Sequence, residues 1–121
     1  MVGDSQSSFR VQSVRSGATA IIALHGELDI FAQPALAAQV DEALSTRPAL
    51  LAIDLRELSF MDSSGIHVMI TAARRCHELG QRFLLIRGGR QIERVLAASG
   101  LEGYFEIVEG PDQLADGALL V

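Results

Sequence analysis

The residues best placed to do chemistry stand together in one short segment, Phe60-Met61-Asp62-Ser63-Ser64-Gly65. It sets two hydroxyls beside a carboxylate where a helix-patterned stretch begins. The first backbone N–H groups of a helix have no intrahelical acceptor, and the helix dipole is positive at that end. A phosphate carried on a serine there is tolerated, even stabilised. Gly65 removes bulk beside the hydroxyls, which would let another protein approach closely. It also costs helix stability, which capping alone does not require. The same residues also read as an ordinary N-cap, with Asp62 or Ser63 accepting a first-turn N–H. The spacing alone leaves both readings open.

Other reactive side chains form no convincing constellation. Asp62-Ser63-Ser64-Gly65 lacks the leading glycine of a nucleophile elbow. His67 follows Ser63 by four residues and can share its helix face, but a first-turn surface histidine has the same spacing. His25 and His77 complete no triad. Glu27 and Asp29 are either a carboxylate pair or turn formers. Gly88-Gly89 lacks the spacing of a phosphate-binding or dinucleotide-binding loop and reads as a turn before a helix. The single Cys76 excludes an internal disulfide and every multi-cysteine zinc pattern. No cofactor, metal site or catalytic activity is expected.

The elements that must position this segment follow from hydrophobic spacing. Residues 1–8 are polar and small and read as a flexible start; 9–121 reads as one domain. Phe9, Val11 and Val14, a Ser16-Gly17 turn and the apolar run Ala18 to Leu24 suggest a hairpin leading into a buried strand. Leu36, Val40, Ala43 and Leu44 repeat as one helix face, started by Pro34 and ended by Arg47-Pro48, predicting a helix near 33–47. Leu50 to Leu55, broken only by Asp54, reads as a central strand. Ile66, Met69, Ile70 and Ala73 predict a helix over 63–79 with Gly80 at its C′ position. Phe83 to Ile86 reads as a strand. Ile92, Val95 and Leu96 predict a helix over 89–99, closed by Gly100 and Leu101. Tyr104 to Val108 is a last strand, and Asp112 to Leu119 a short terminal helix.

Strands alternating with helices imply parallel pairing and right-handed crossovers. The expected fold is α/β: a mostly parallel sheet of about five strands, an antiparallel first strand, and three to four covering helices. Sites in such sheets lie beyond the carboxyl ends of the strands. Three segments fall there: His25 to Phe31, Arg56 to Ser64, and Arg87 to Arg90. Leaving one edge, they are expected to lie close together.

Composition narrows the partners. The 121 residues carry 10 basic and 15 acidic side chains, a net charge of −5. All the basic residues are Arg, and Lys and Asn are absent, a bias that fits a GC-rich genome. No basic block exists to hold nucleic acid or anionic lipid, and aromatics for stacking are only 5%. Mean hydropathy is high, +0.28, yet no apolar run approaches the ~18 residues of a membrane span. The apolar surface must go into a core or a protein interface. The first eight residues contain no apolar signal-peptide region, so the cytoplasm is the expected compartment.

Gly26-Glu27-Leu28-Asp29 after a strand, then a helix, Ile53-Asp54-Leu55, and Phe60-Met61-Asp62-Ser63-Ser64-Gly65-Ile66 together resemble the STAS-domain anti-sigma factor antagonists of bacteria. Phe83-Leu84-Leu85-Ile86 and Leu96-Ala97-Ala98-Ser99-Gly100-Leu101 extend the resemblance, which spans Phe9 to Val108. It implies partner switching in stress response and transcription regulation. The unphosphorylated antagonist binds an anti-sigma factor, itself a serine kinase, and so frees a sigma factor. The kinase phosphorylates the serine after the aspartate, here Ser63, and a serine phosphatase resets the switch. The contact surface would draw on Asp29, Phe31, Met61, Asp62, Ser64, Gly65, Ile66 and His67. Many members have glycine where this chain has His67, and the stretch Ile30 to Gln33 is less polar than in many of them. Two other readings are a stand-alone STAS subunit of a lipid-transport ATPase complex and a small nucleotide-binding or hydrolytic enzyme.

Overall fold

In a computed structural model of the chain, which describes residues 8–114, Gly17 takes a φ of 59° and folds β1 (Phe9–Ser16) back against β2 (Thr19–Leu28). The pairing is antiparallel, with Ser16 opposite Thr19 and Phe9 opposite Gly26. The chain continues through α1 (Gln33–Ser45), β3 (Leu50–Met61), α2 (Ser63–Glu78), β4 (Arg82–Ile86) and α3 (Arg90–Ala98). A 3-10 turn (Glu102–Tyr104) and β5 (Ile107–Val108) follow. The sheet order is β1-β2-β3-β4-β5, with every pair after the first parallel. The α/β fold expected from the sequence, with Leu50 to Leu55 on the central strand, is the fold observed.

Successive right-handed crossovers that march in one direction leave their helices on one side of the sheet. Accordingly α1, α2 and α3 feed a single core. Leu36, Val40, Ala43 and Leu44 of α1, Met69, Ala72 and Cys76 of α2, and Ile92 and Leu96 of α3 all pack with Ile22, Leu24, Leu51, Ile53 and Leu85. The alternate residues of the strands, Leu50, Ala52, Leu84 and Ile86, form a smaller cluster on the other face with Leu114. Asp54 falls on that second face. Its carboxylate accepts from the Arg56 backbone N–H at 3.0 Å and from the Arg56 guanidinium at 2.9–3.3 Å. A buried charge so paired costs far less than one left alone.

The helices stop where their residues require. Gly80 and Gly100 sit at φ of 72° and 71°, and the N–H groups of Gln81 and Leu101 return to the carbonyls of Cys76 and Leu96. α1 ends at Ser45, and Arg47, two residues on, takes a φ of 54° just before Pro48. Each helix lies within two residues of its expected bounds.

The strands differ more. β2 and β3 both run beyond their expected ends, to Leu28 and Met61, so His25 to Leu28 and Arg56 to Met61 are strand and not loop. Register shifts between Ala23 and His25 and between Gly26 and Glu27 give β3 one extra residue at each point. Burial therefore recurs every third residue, at Leu55, Leu58 and Met61, and the period of two that marks a strand is lost. Gly26 makes the second shift possible: its φ is 92°, and a Cβ there would lie 1.7 Å from the Ser8 carbonyl oxygen. That oxygen accepts the Glu27 N–H at 3.0 Å.

At the other end, Tyr104 to Val108 is a strand only at Ile107–Val108. Phe105 instead turns into the core, with ring centroids 6.1 Å from Phe83 and 5.1 Å from Tyr104. The expected flexible start and terminal helix fall largely on 1–7 and 115–121, outside the described residues. A helical turn does begin at Asp112.

Candidate functional site

β2 and β3 leave the sheet side by side. Leu28 pairs with Met61, and the Asp62 N–H donates to the Leu28 carbonyl at 3.2 Å. The loop after β2 and the start of α2 are thereby fixed against each other.

Asp62 occupies the N-cap of α2 with extended backbone dihedrals. Its Oδ1 accepts the Ser64 N–H at 3.0 Å and the Ser64 hydroxyl at 2.5 Å. The two adjacent serines are thus made unequal. Ser64 is half-buried and its hydroxyl is committed to the cap. Ser63, the first helical residue, is exposed, and among the described residues its hydroxyl has no hydrogen bond.

Asp29 is also a structural acceptor. The N–H groups of Phe31 and Ala32 donate to its Oδ1, each at 3.0 Å, and its carbonyl accepts from Ala32 and Gln33. This closed turn leads into α1 and leaves Ile30 and Phe31 on the outside, 63% and 66% exposed. Of the two sequence readings of Asp29, turn former is the one the geometry displays. Phe60, at the end of β3, is 39% exposed.

Three of the expected contact residues are not at the surface. Met61 is 1% and Ile66 5% exposed, both in the main core. Their apolar surface is already spent on folding, so, against the expectation, they do not present it for direct contact. Gly65 is buried as well. A Cβ there would come within 2.6 Å of Leu28 Cδ2 and 2.9 Å of Met61 Cγ. The glycine answers to packing from inside the domain, not to a partner's approach from outside. Ile30 and Phe60 take the place of Met61 and Ile66 as exposed apolar groups. The signal for Ile30 was present in the sequence, as an apolar pair directly after a turn-forming aspartate. His67, four residues beyond Ser63, is exposed.

The third strand-end segment is not brought to this place. β4 ends where Ile86 pairs with Asp54, well before Met61, and Gly88 packs on Leu55. Arg87 is tied to Glu93 at 2.5 Å and to Glu109 at 2.9 Å. These acceptors hold its guanidinium pKa above the ordinary value. Arg87 to Arg90 is a structural corner. At the far end of α2, Cys76 lies in the main core and His77 is exposed in the last turn. Cys76 is fully buried, and burial pushes its thiol pKa up to about 11. Among the described residues no group of three or more potential ligands could hold a metal ion, and no helix is long and apolar enough to cross a membrane.

The family model of the STAS domain matches residues 10–113. The chain belongs to the STAS domain family. A relative from Paenibacillus polymyxa, an anti-sigma F factor antagonist, is 32% identical over 82 residues, covering 67% of this chain and 70% of its own. Among solved structures, an anti-sigma factor antagonist from Mycobacterium paratuberculosis superposes with a TM-score of 0.82 at 20% identity, over 90% of this chain and 92% of that one. The anti-sigma factor antagonist SpoIIAA in its unphosphorylated form gives 0.80 at 24% identity, over 93% and 98%. Its phosphorylated form, from Bacillus, gives 0.68 at 24%, over 89% and 97%. At these identities the structures establish a shared STAS fold.

Proposed function

We propose that this STAS domain is an anti-sigma factor antagonist that binds its partner when unphosphorylated and is released by phosphorylation of Ser63. The observation that carries the reading is the inequality of the two serines. Ser63 presents an exposed hydroxyl at a helix start, and Asp62 holds the neighbouring hydroxyl in the cap. The names of its relatives supply the partner class. On this reading the domain is a substrate and a binding module. An anti-sigma factor serine kinase is both its partner and its modifier, and a serine phosphatase restores it.

The physics of such a switch is asymmetric. A phosphate adds about −1.5 to −2 charges at neutral pH. On the free domain that charge meets the positive end of the α2 dipole, so the fold survives. In a complex it must be desolvated beside Ile30, Phe31 and Phe60, and there it is repelled or left unpaired. A loss of roughly 3 kcal/mol, about a hundredfold in affinity, is enough to exchange partners. The contact surface on this reading comprises Asp29, Ile30, Phe31, Phe60, Asp62, Ser63, Ser64 and His67, with Met61, Gly65 and Ile66 beneath it.

The test is capture of the partner from source cells, followed by incubation with ATP and mapping of the modified residue. Phosphate is expected on Ser63. Ser63→Ala is expected to bind the partner and accept no phosphate, and Ser63→Asp to fold normally and bind about a hundredfold more weakly. Phosphate confined to Ser64, or tight binding by Ser63→Asp, would rule the reading out.

A further inference from the structure

We propose that His67 is a positioning residue that holds the phosphate on Ser63; this rests on the reading of Ser63 as the modified residue. Both residues are exposed and stand four apart on α2, a spacing that makes side chains neighbours on a helix surface. The order is the favourable one, with the anion N-terminal to the cation. Side chains on a helix lean toward its N-terminus, over the residues three and four positions earlier. For His67 those are Ser64, whose hydroxyl is committed to Asp62, and Ser63.

Along its own helix, His67 is the candidate cation nearest Ser63. From Ser63 to Ala73 it is the only titratable side chain on α2. α1 contributes Asp41 and Glu42, and Asp41 pairs with Arg75 at the far end of α2. β4 contributes Arg82, paired with Glu106. β3 contributes Glu57, which is exposed, and Asp54 and Arg56, which pair with each other on the opposite face of the sheet. The loops at this edge add only Asp29 and Asp62, whose carboxylates accept backbone N–H groups. Of these cations Arg56, Arg75 and Arg82 are matched to carboxylates; β1 adds Arg10 and Arg15, β2 adds His25 and the exposed Glu27, and α2 adds Arg74 seven residues beyond His67.

An imidazole and a phosphate monoester titrate in the same range, near pH 6 to 6.5. If they pair, each must shift the other by the same amount, because the coupling is one free energy. His67 then binds its proton more tightly, and the phosphate loses its second proton at lower pH. The phosphorylated form carries a partly neutralised charge when His67 is protonated and its full charge when it is not.

The experiment uses the full chain with phosphoserine installed at position 63 by genetic encoding, so it does not depend on any kinase. The imidazole of His67 is titrated by proton–nitrogen NMR in the Ser63 and phosphoserine proteins, and the phosphate by phosphorus NMR in the parent and in His67→Gln. The expected result is a His67 pKa raised by about 0.2–0.4 unit on phosphorylation, with the phosphate pKa raised by a matching amount in His67→Gln. A His67 pKa that does not move between the Ser63 and phosphoserine proteins, or a phosphate that titrates identically in His67→Gln, overturns the pairing. A cognate kinase that ignores Ser63 would instead sink the proposed function and leave the pair standing.

Discussion

At the scale of single residues, the site is decided by Asp62 and Gly65 as much as by Ser63. Asp62 accepts a first-turn N–H and the Ser64 hydroxyl, and among the described residues the Ser63 hydroxyl is left without a hydrogen bond. Asp62→Ala is therefore expected to cost about 0.5–2 kcal/mol of stability, read by urea denaturation. It is also expected to blur the choice between the two serines, read by mapping the phosphate. Gly65 tests which of two opposed effects is larger. A glycine to alanine change within a helix ordinarily gains up to about 1 kcal/mol. Here the new Cβ meets Leu28 and Met61, both fully buried, and overpacking a tight core costs about 1–3 kcal/mol. Gly65→Ala is expected to lower stability; a gain would mean that the core around Leu28 relaxes freely.

At the scale of elements, the important unit is the pair of long strands β2 and β3 with the loops that follow them. Asp29 closes its turn through two N–H groups of the loop, and this turn, not a hydrophobic anchor, holds Ile30 and Phe31 outward. Removing one exposed ring should then leave the fold alone. Phe31→Ser is expected to change stability by less than about 0.5 kcal/mol and to weaken partner binding at least tenfold, by about 1.4 kcal/mol or more. Isothermal titration against the captured partner, beside thermal unfolding of the free domain, separates the two effects. Full affinity in Phe31→Ser would move the interface away from this edge.

At the scale of the whole molecule, the three crossover helices seal one face of the sheet, and Cys76 sits in that seal. Its thiol ionises near 11 in the folded protein, raised from an ordinary value near 9 by burial. The folded state then holds its proton over a range where the unfolded chain has lost it. Stability from this source is full below pH 9, falls as pH rises toward 11, and is then spent, for a total of roughly 2 to 3 kcal/mol. Denaturation midpoints from pH 8 to 11 are expected to fall more steeply for the parent than for Cys76→Ala. Equal slopes would show that the seal around Cys76 opens without global unfolding.

The sequence by itself determined the element order, the helix faces and the parallel sheet, because each rests on local periodicity that tertiary contacts reinforce. Leu36, Val40, Ala43 and Leu44 are all buried as their spacing requires, and Gly80 and Gly100 end their helices as glycines do. It also marked the segment from Phe60 to Gly65, since few other stretches set hydroxyls and a carboxylate at a helix start. Tertiary structure alone decided which side chains of that segment face outward. Met61 and Ile66 are apolar in either role, and only their burial in the main core shows that they face inward. The register shifts that extend β2 and β3 to the site arise between strands, where no single-chain period records them. The difference between Ser63 and Ser64 is likewise one of geometry: both are serines at a helix start, and the Asp62 carboxylate reaches only one hydroxyl.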